Sequence, residues 1–507
     1  MNKNLSKKKL FFFALIFISA VFLRFWNVPN TVQFLGDQGR DSLIVAKIFK
    51  ERDLVFIGPV TSVGNMYLGP LYYYFMVPFL MLSYPSPLGP IYAVALLGVI
   101  TIYLMYSLGK EIVGEKAAII AATLMTFSAT VVAGTRFSWN PNPAPLVSLV
   151  LLFYLNKSLR ENSKYWIVVF ICFSVLIQLH YLTLLAGIGI GIFWLWDFYQ
   201  RFKTKNLLKN FIIHSVISGL VFLVFLIPLV LFDIKHEGLN YKAFEKIIFN
   251  EESFDKKSDN FLGTLNEYFV GVKGRGRHIL FDISIGSQED TNTVLLVLAS
   301  LIFIYLLKNT KKHDDIYYGK LIIAVFLFTG IISTTFYKHS IFDHYIAYLF
   351  PVTFLTFGIL GEYLYKKGLI GKSIVVFFII LFTNYNFVKL KEVLTSTGWT
   401  LNDIQSTAKT IADRVEVGEK FNVVLLNGTG DLYGQNYEYF LYTFGKPKIS
   451  IYEIGNAETL FIIDEERKYG NYQNSPVYEI STFPAKVPSE VYQINDGPEI
   501  TVLRRNN

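Results

Sequence analysis

Residues 66–84 read MYLGPLYYYFMVPFLMLSY, and how this run is placed decides the fold. It is apolar enough to cross a membrane, yet Pro70 and Pro78 would each remove a helical hydrogen bond. On either side lie many other long apolar runs. The chain of 507 residues is 52% hydrophobic and 17% charged, with mean hydropathy +0.40, against about 25% charged in soluble domains. Such a composition excludes disorder and coiled coils and points to a polytopic membrane protein.

Apart from 66–84, apolar runs predict spans over 10–25, 88–108, 115–133, 143–157, 165–180, 181–197, 210–232, 291–308, 319–336, 343–365 and 371–389, about eleven helices. The first follows Lys3, Lys7, Lys8 and Lys9 and ends in Arg24, Phe25 and Trp26, which reads as an uncleaved span with an interfacial anchor rather than a signal peptide. If 66–84 does not cross, loops 1–9, 109–116, 157–164, 198–210, 308–320 and 366–372 share one side and hold twenty Lys and Arg. The opposite short loops hold only Arg136 and Lys338. Counting 66–84 as a span would put the basic N-terminus opposite the other basic loops. The positive-inside rule therefore makes it re-entrant or surface-lying, the N-terminus cytoplasmic and everything after residue 390 external.

The chain then divides into a membrane domain, residues 1–390, and a small external α/β domain, residues 391–507. In the latter, 401–415 and 433–444 read as helices, and 421–426, 449–454, 459–463, 477–480 and 499–503 as strands. The lone Cys172 forms no internal disulfide, and no Cys/His cluster suggests zinc. Nothing in the pattern suggests a nucleic-acid partner.

The middles of the expected spans hold almost no ionisable residues, which weighs against ion-coupled transport. Polar residues gather at the external ends. Gly36-Asp37-Gln38-Gly39-Arg40-Asp41 precedes an amphipathic run, Leu43–Phe49; there Asp37 reads either as an N-cap or as a general base. Arg136 precedes Trp139-Asn140-Pro141 and reads either as a lipid-phosphate snorkel or as a planar fork for a bound phosphate. Gln178-Leu179-His180 marks a turn between spans, with His180 in position to cap a helix. Lys338, His339 and His344 sit at one helix entrance. All four clusters fall on one side.

On these residues, with Gly69-Pro70-Leu71-Tyr72-Tyr73-Tyr74 and His344-Tyr345 ahead of Pro351, the chain resembles the polyprenol-phosphate-sugar-dependent membrane glycosyltransferases of the GT-C superfamily. That group includes protein O-mannosyltransferases, aminoarabinose transferases and the transferases related to Rhizobium lipopolysaccharide synthesis. The resemblance covers about residues 8–365. It implies an inverting transferase in the cell membrane, acting at the external face, with a polyprenyl-phosphate sugar as donor and a glycolipid, glycan or protein as acceptor. Asp37 aligns with the family's acidic residue. Donor phosphate falls to Arg136, Lys338, His339 and His344. Arg40, Asp41, Trp139, Asn140, Gln178 and His180 would meet acceptor or sugar, and Tyr67, Tyr72 and Tyr73 would line a lipid groove. The chain departs from many relatives in having Asp37-Gln38 for Asp-Glu and Leu68-Gly69-Pro70-Leu71 for His-Pro-Pro-Leu. No loop DxD demands a divalent metal, and no other cofactor is required. A surface-polysaccharide polymerase or ligase would share the outward site; a lipid-linked-sugar flippase would need a polar path through the bundle.

Overall fold

The computed structural model describes residues 7–61, 66–249, 261–285, 304, 316–337, 340–395, 398–427, 433–468, 472, 475–494 and 497–505. Among them, six helices are long and apolar enough to cross a membrane: Leu88–Val113, Tyr181–Lys203, Leu207–Lys235, Tyr317–Thr335, Asp343–Tyr365 and Gly368–Leu394. Phe11–Phe25, Leu71–Ser83 and Tyr165–Leu179 are shorter apolar helices. The expected span 291–308 lies outside the described residues, apart from the lone residue Ile304. The described residues therefore do not confirm the expected count of about eleven.

Several spans depart from the hydropathy reading for local reasons. The run 115–133 is broken into helices Glu115–Phe127 and Ala129–Gly134, because Ser128 turns extended and its hydroxyl accepts the N–H of Val131. The break frees the amide of Ala129, and Asn386 of the last helix accepts it at 2.8 Å through Oδ1. A polar residue deep in an apolar helix thus meets a donor that a helix start leaves orphaned. Leu71–Ser83 has 13 residues, about 20 Å at 1.5 Å per residue, short of the ~30 Å hydrocarbon core. It starts at Pro70, where the missing N–H costs nothing, and turns back into Leu88–Ser107.

Exposure sorts the helices. Most of Asp343–Tyr365 is buried among its neighbours, whereas Leu207–Lys235 and Gly368–Leu394 leave nearly all their apolar surface uncovered, as lipid-facing helices do. Arg24, expected beside the interface, is instead wholly buried.

The C-terminal unit holds helices Leu401–Ala412 and Gln435–Thr443 and a four-stranded sheet of order β1-β2-β4-β3. The strands are β1 (Phe421–Leu426), β2 (Thr459–Asp464), β3 (Glu490–Gln493) and β4 (Glu499–Arg504). β1 and β2 are parallel; β2 with β4 and β4 with β3 are antiparallel. Two expected strands are corrected. Ile451–Asn456 is a 3-10 helix started by Ser450, whose hydroxyl accepts the N–H of Tyr452, and Tyr478–Thr482 is a short α-helix. The expected strands gave no sign of β3, an exposed edge strand.

This unit sits on one end of the helix bundle. Tyr439 donates to the carbonyl of Pro85 at 2.9 Å, Tyr442 donates to Glu51 at 2.6 Å, and Leu401 N–H donates to Val32 O at 3.0 Å. Phe34 packs against the rings of Tyr439 and Phe440. We call this the domain end. At the other end Glu362 lies beside Gly114, Lys116 covers Tyr365, and Arg201 pairs with Asp197; the basic loops gather there.

Candidate active site

At the domain end the chain from Gly36 to Lys50 forms one helix. Its N-cap is Leu35, not Asp37, and the Leu35 side chain makes no capping bond. Asp37 lies in the first turn, where a carboxylate is favoured by the helix dipole, and its carboxylate goes to Arg40, with Nη1 to Oδ1 at 2.6 Å. Arg40 is held from its other side: Nε and Nη2 donate to Asp41 Oδ1 at 2.9 and 2.8 Å. Tyr73 donates to the same oxygen at 3.2 Å. The Asp37 side chain is 47% exposed and the Asp41 side chain 1%. Asp37 can meet a substrate; Asp41, expected to touch acceptor or sugar, cannot, because it is packed behind Arg40. Burial lifts the Asp41 carboxyl to about 6, against the pull of Arg40 and the Tyr73 hydroxyl, and its Oδ2 is buried without a partner.

The segment Gly69–Tyr73 is the hub that joins the distant motifs. Tyr72 and Tyr73 are corrected from groove-lining residues to core residues, 1% and 2% exposed. Tyr73 reaches Asp41, and Tyr72 meets Ser138 Oγ at 2.7 Å. A Cβ on Gly69 would fall 2.3 Å from Gln178 Oε1, so the Gln178 side chain, near the end of helix Tyr165–Leu179, occupies the space a larger residue 69 would need. Tyr67 is half-buried; its backbone N–H donates to Asn240 Oδ1 at 2.8 Å and its ring lies 5.0 Å from Phe232.

Beyond Ser138 the site continues through stacked rings. Trp139 lies 4.2 Å from His344, and His344 lies 6.2 Å from His180, which stacks on Tyr181 and packs against Tyr345. His180 ends one helix, and its Nδ1 accepts the N–H of Leu182 in the next turn, so its proton sits on Nε2. Burial and the neighbouring His344 hold the imidazole down at about 3, neutral at physiological pH. Asn140 and Gln178 spend their amide N–H groups on the carbonyls of Leu179 and Phe225. These two residues brace turns rather than face a ligand.

Arg136 is not part of this belt. Its guanidinium donates to Leu23 O at 2.9 Å, Trp26 O at 2.8 Å and Thr31 Oγ1 at 2.7 Å. Two of these are carbonyls at the C-terminal end of the first helix and the third is a hydroxyl, so the planar fork expected for phosphate is occupied by the frame. Lys338 and His339 lie outside the described residues. Nearby, two residues that the sequence motifs did not single out reach this end: Arg275 donates to Tyr337 O at 2.9 Å, and His278 Nε2 meets Asp343 Oδ1 at 2.7 Å. No apolar pattern could have flagged them, because Arg275 lies in an amphipathic helix, Phe261–Arg277, and His278 in the turn that follows it. Among the described residues no three of His, Cys, Asp and Glu come together as metal ligands.

The whole helix that carries Asp37 is seated from behind by the C-terminal unit. A Cβ on Gly39 would fall 2.4 Å from Asn436 Cα and 2.4 Å from Gln435 O. Backbone meets backbone there.

This bundle, its short helix pair and its capping α/β unit have known counterparts in fold, and one stretch of the chain matches a family model. Residues 68–232 match the family model of dolichyl-phosphate-mannose-protein mannosyltransferase. The fold is similar to that of ArnT from Cupriavidus metallidurans bound to undecaprenyl phosphate, at 12% identity over 98% of both chains with a TM-score of 0.58. It is also similar to the archaeal oligosaccharyltransferase AglB from Archaeoglobus fulgidus in complex with an inhibitory peptide and a dolichol-phosphate. That likeness, at 13% identity, covers 90% of this chain and 69% of that one with a TM-score of 0.51. No curated protein matches the chain. The GT-C resemblance carried by Asp37, Gly69–Tyr74 and Trp139–Pro141 is thereby borne out at the level of fold.

Proposed function

We propose that this protein moves a sugar from a polyprenyl-phosphate donor to an acceptor at the outer membrane surface, with inversion at the anomeric carbon. The observation that carries the reading is the Asp37–Arg40–Asp41–Tyr73 chain: a half-exposed carboxylate whose ion-pair partner, Arg40, is fixed by a buried acid and a buried phenol. Asp37 takes the proton of the acceptor hydroxyl as its oxygen bonds to the anomeric carbon. The sugar–phosphate C–O bond breaks, and its electron pair leaves on the polyprenyl phosphate. Arg40 keeps the base from swinging, so little reorientation is needed at the moment of transfer. His344, assisted by Lys338, His339 and Arg275, holds the donor phosphate and stabilises its growing charge. The bound lipids of ArnT and AglB support a lipid-phosphate donor, and the basic loops at the far end support an outward-facing domain end. Residues 391–507 then form the external domain and residues 1–390 the membrane domain.

Reconstitution in nanodiscs with a polyprenyl-phosphate sugar tests this. Asp37→Asn is expected to fold and to bind donor normally while turnover falls at least about 100-fold, the lower range for loss of a general base. Near-normal turnover in that variant would overturn the assignment.

A further inference from the structure

A cleft opens on the side of the Gly36–Lys50 helix that faces the linker to the C-terminal unit. Its cavity is about 370 Å³ and is lined by Thr31, Gln38, Arg136, Glu392, Thr395 and Trp399, among others. That volume falls in the range of small-molecule sites, about 300–1,000 Å³. Gln38 follows Asp37 in the helix, is 4% exposed, and its Oε1 is buried without a partner. A buried acceptor left unpaired costs about 1–3 kcal/mol, so this oxygen is a standing demand for a donor. Trp399 forms a rigid wall: its Nε1 donates to Tyr437 OH at 2.9 Å and its outer ring edge packs on Gly497.

The lining also says what does not belong. Arg136 is spent on Leu23, Trp26 and Thr31, and the other charged residue of the lining, Glu392, is an acid, so among the described residues the cleft has no free cation for phosphate. An apolar chain would leave the Gln38 oxygen unpaired. A neutral ring bearing hydroxyls satisfies both conditions, with one O–H on Gln38 Oε1 and a C–H face on the indole.

We propose that this cleft binds a neutral sugar ring of the acceptor, seated one residue from the base; the assignment to the acceptor rests on the function proposed above. The acceptor is then a glycan or glycoconjugate whose recognised unit carries no charge.

The test uses the full-length protein in nanodiscs on an array of neutral, sialylated and phosphorylated oligosaccharides. Wild type and Asp37→Asn should bind a shared set of neutral glycans, and Gln38→Leu should bind them about five- to tenfold more weakly, the worth of one hydrogen bond. The melting temperature of Gln38→Leu should hold or rise, since an orphaned acceptor is removed. Neutral glycans bound no better than phosphorylated ones, or Gln38→Leu binding like wild type, would overturn the site. Transfer is read separately, from polyprenyl-phosphate sugar to each bound glycan, with donor hydrolysis as the acceptor-free control. Turnover by wild type that leaves bound glycans unmodified would overturn the acceptor assignment while the proposed function survives. Absence of both transfer and hydrolysis alongside intact binding would sink the proposed function instead.

Discussion

Replacing Arg136 by lysine keeps the charge and removes the fork. In the structure three donations leave this one guanidinium, to Leu23 O, Trp26 O and Thr31 Oγ1 at 2.7–2.9 Å, and the residue is 5% exposed. An ammonium on a flexible stem can satisfy one of those acceptors well, which leaves about two buried or part-buried oxygens unpaired. At roughly 1–3 kcal/mol for each, the loss is about 2–6 kcal/mol. At about 2 °C or less per kcal/mol for a chain longer than 150 residues, the thermal midpoint should fall by up to roughly 10 °C. Donor affinity, measured below that midpoint, should stay within about twofold of wild type. Both quantities are read on one nanodisc preparation, by thermal inactivation and by binding of radiolabelled donor. A midpoint within a degree of wild type, together with a tenfold weaker donor Kd, would refute the helix-capping role and return Arg136 to the phosphate.

Gly39→Ala should act at a distance from any ligand. Its methyl meets the backbone of Gln435 and Asn436 at 2.4 Å, so the helix must shift by about 1 Å, a displacement that can cost about 100-fold in rate; kcat should fall with donor Kd unchanged, and unchanged kcat would show that the C-terminal unit does not position Asp37. Asp41 has its carboxyl raised to about 6 by burial. Between its ordinary value of about 3.9 and 6 the folded state holds a proton that the unfolded chain has released, so this group's contribution to stability falls as pH rises through that window and is level above it. Activity runs the other way, because protonated Asp41 loosens Arg40: kcat should drop below pH 6, and Asp41→Asn should lack that limb, which a pH–rate profile decides. Cysteine labelling settles sidedness: in a Cys172→Ser background, Asn427→Cys should react in intact cells, and labelling only after lysis would reverse the topology and with it the outward site.

The sequence showed the acid cluster and the apolar framework because both are local signals. Gly36–Asp41 places a base, a cation and a second acid within one and a half helical turns, and the helix Gly36–Lys50 follows from their spacing and from the amphipathic run behind them. Leu71–Ser83 was legible through Pro70, Pro78 and the charge bias of distant loops. Arg136 was misread because its partners, two carbonyl oxygens and the Thr31 hydroxyl, lie more than a hundred residues away; a backbone acceptor leaves no trace in residue type. Tyr72 and Tyr73 were misread for a related reason. An aromatic run looks alike whether it faces lipid or core, and only the hydroxyl partners Ser138 and Asp41 distinguish the two. The expected strands at 449–454 and 477–480 failed where β-branched alternation competed with a Ser N-cap and a single helical turn.

These corrections share a direction. Residues that seemed to be ligands for substrate, Arg136, Asn140, Gln178, Tyr72 and Asp41, are instead bonded to the frame, and Asp37 remains the exposed acid of the cluster. A transferase that acts on a lipid-borne donor has its substrate delivered by the bilayer and needs few groups to capture it, but it needs the base and the leaving phosphate at a fixed separation. Side-chain bonds spent on carbonyls at helix ends hold that separation. The crossing at Gly39 serves the same end, since a backbone contact has no rotamer to lose. On the function proposed above, substrate choice then falls to the small cleft lined by Gln38, the residue that follows the base.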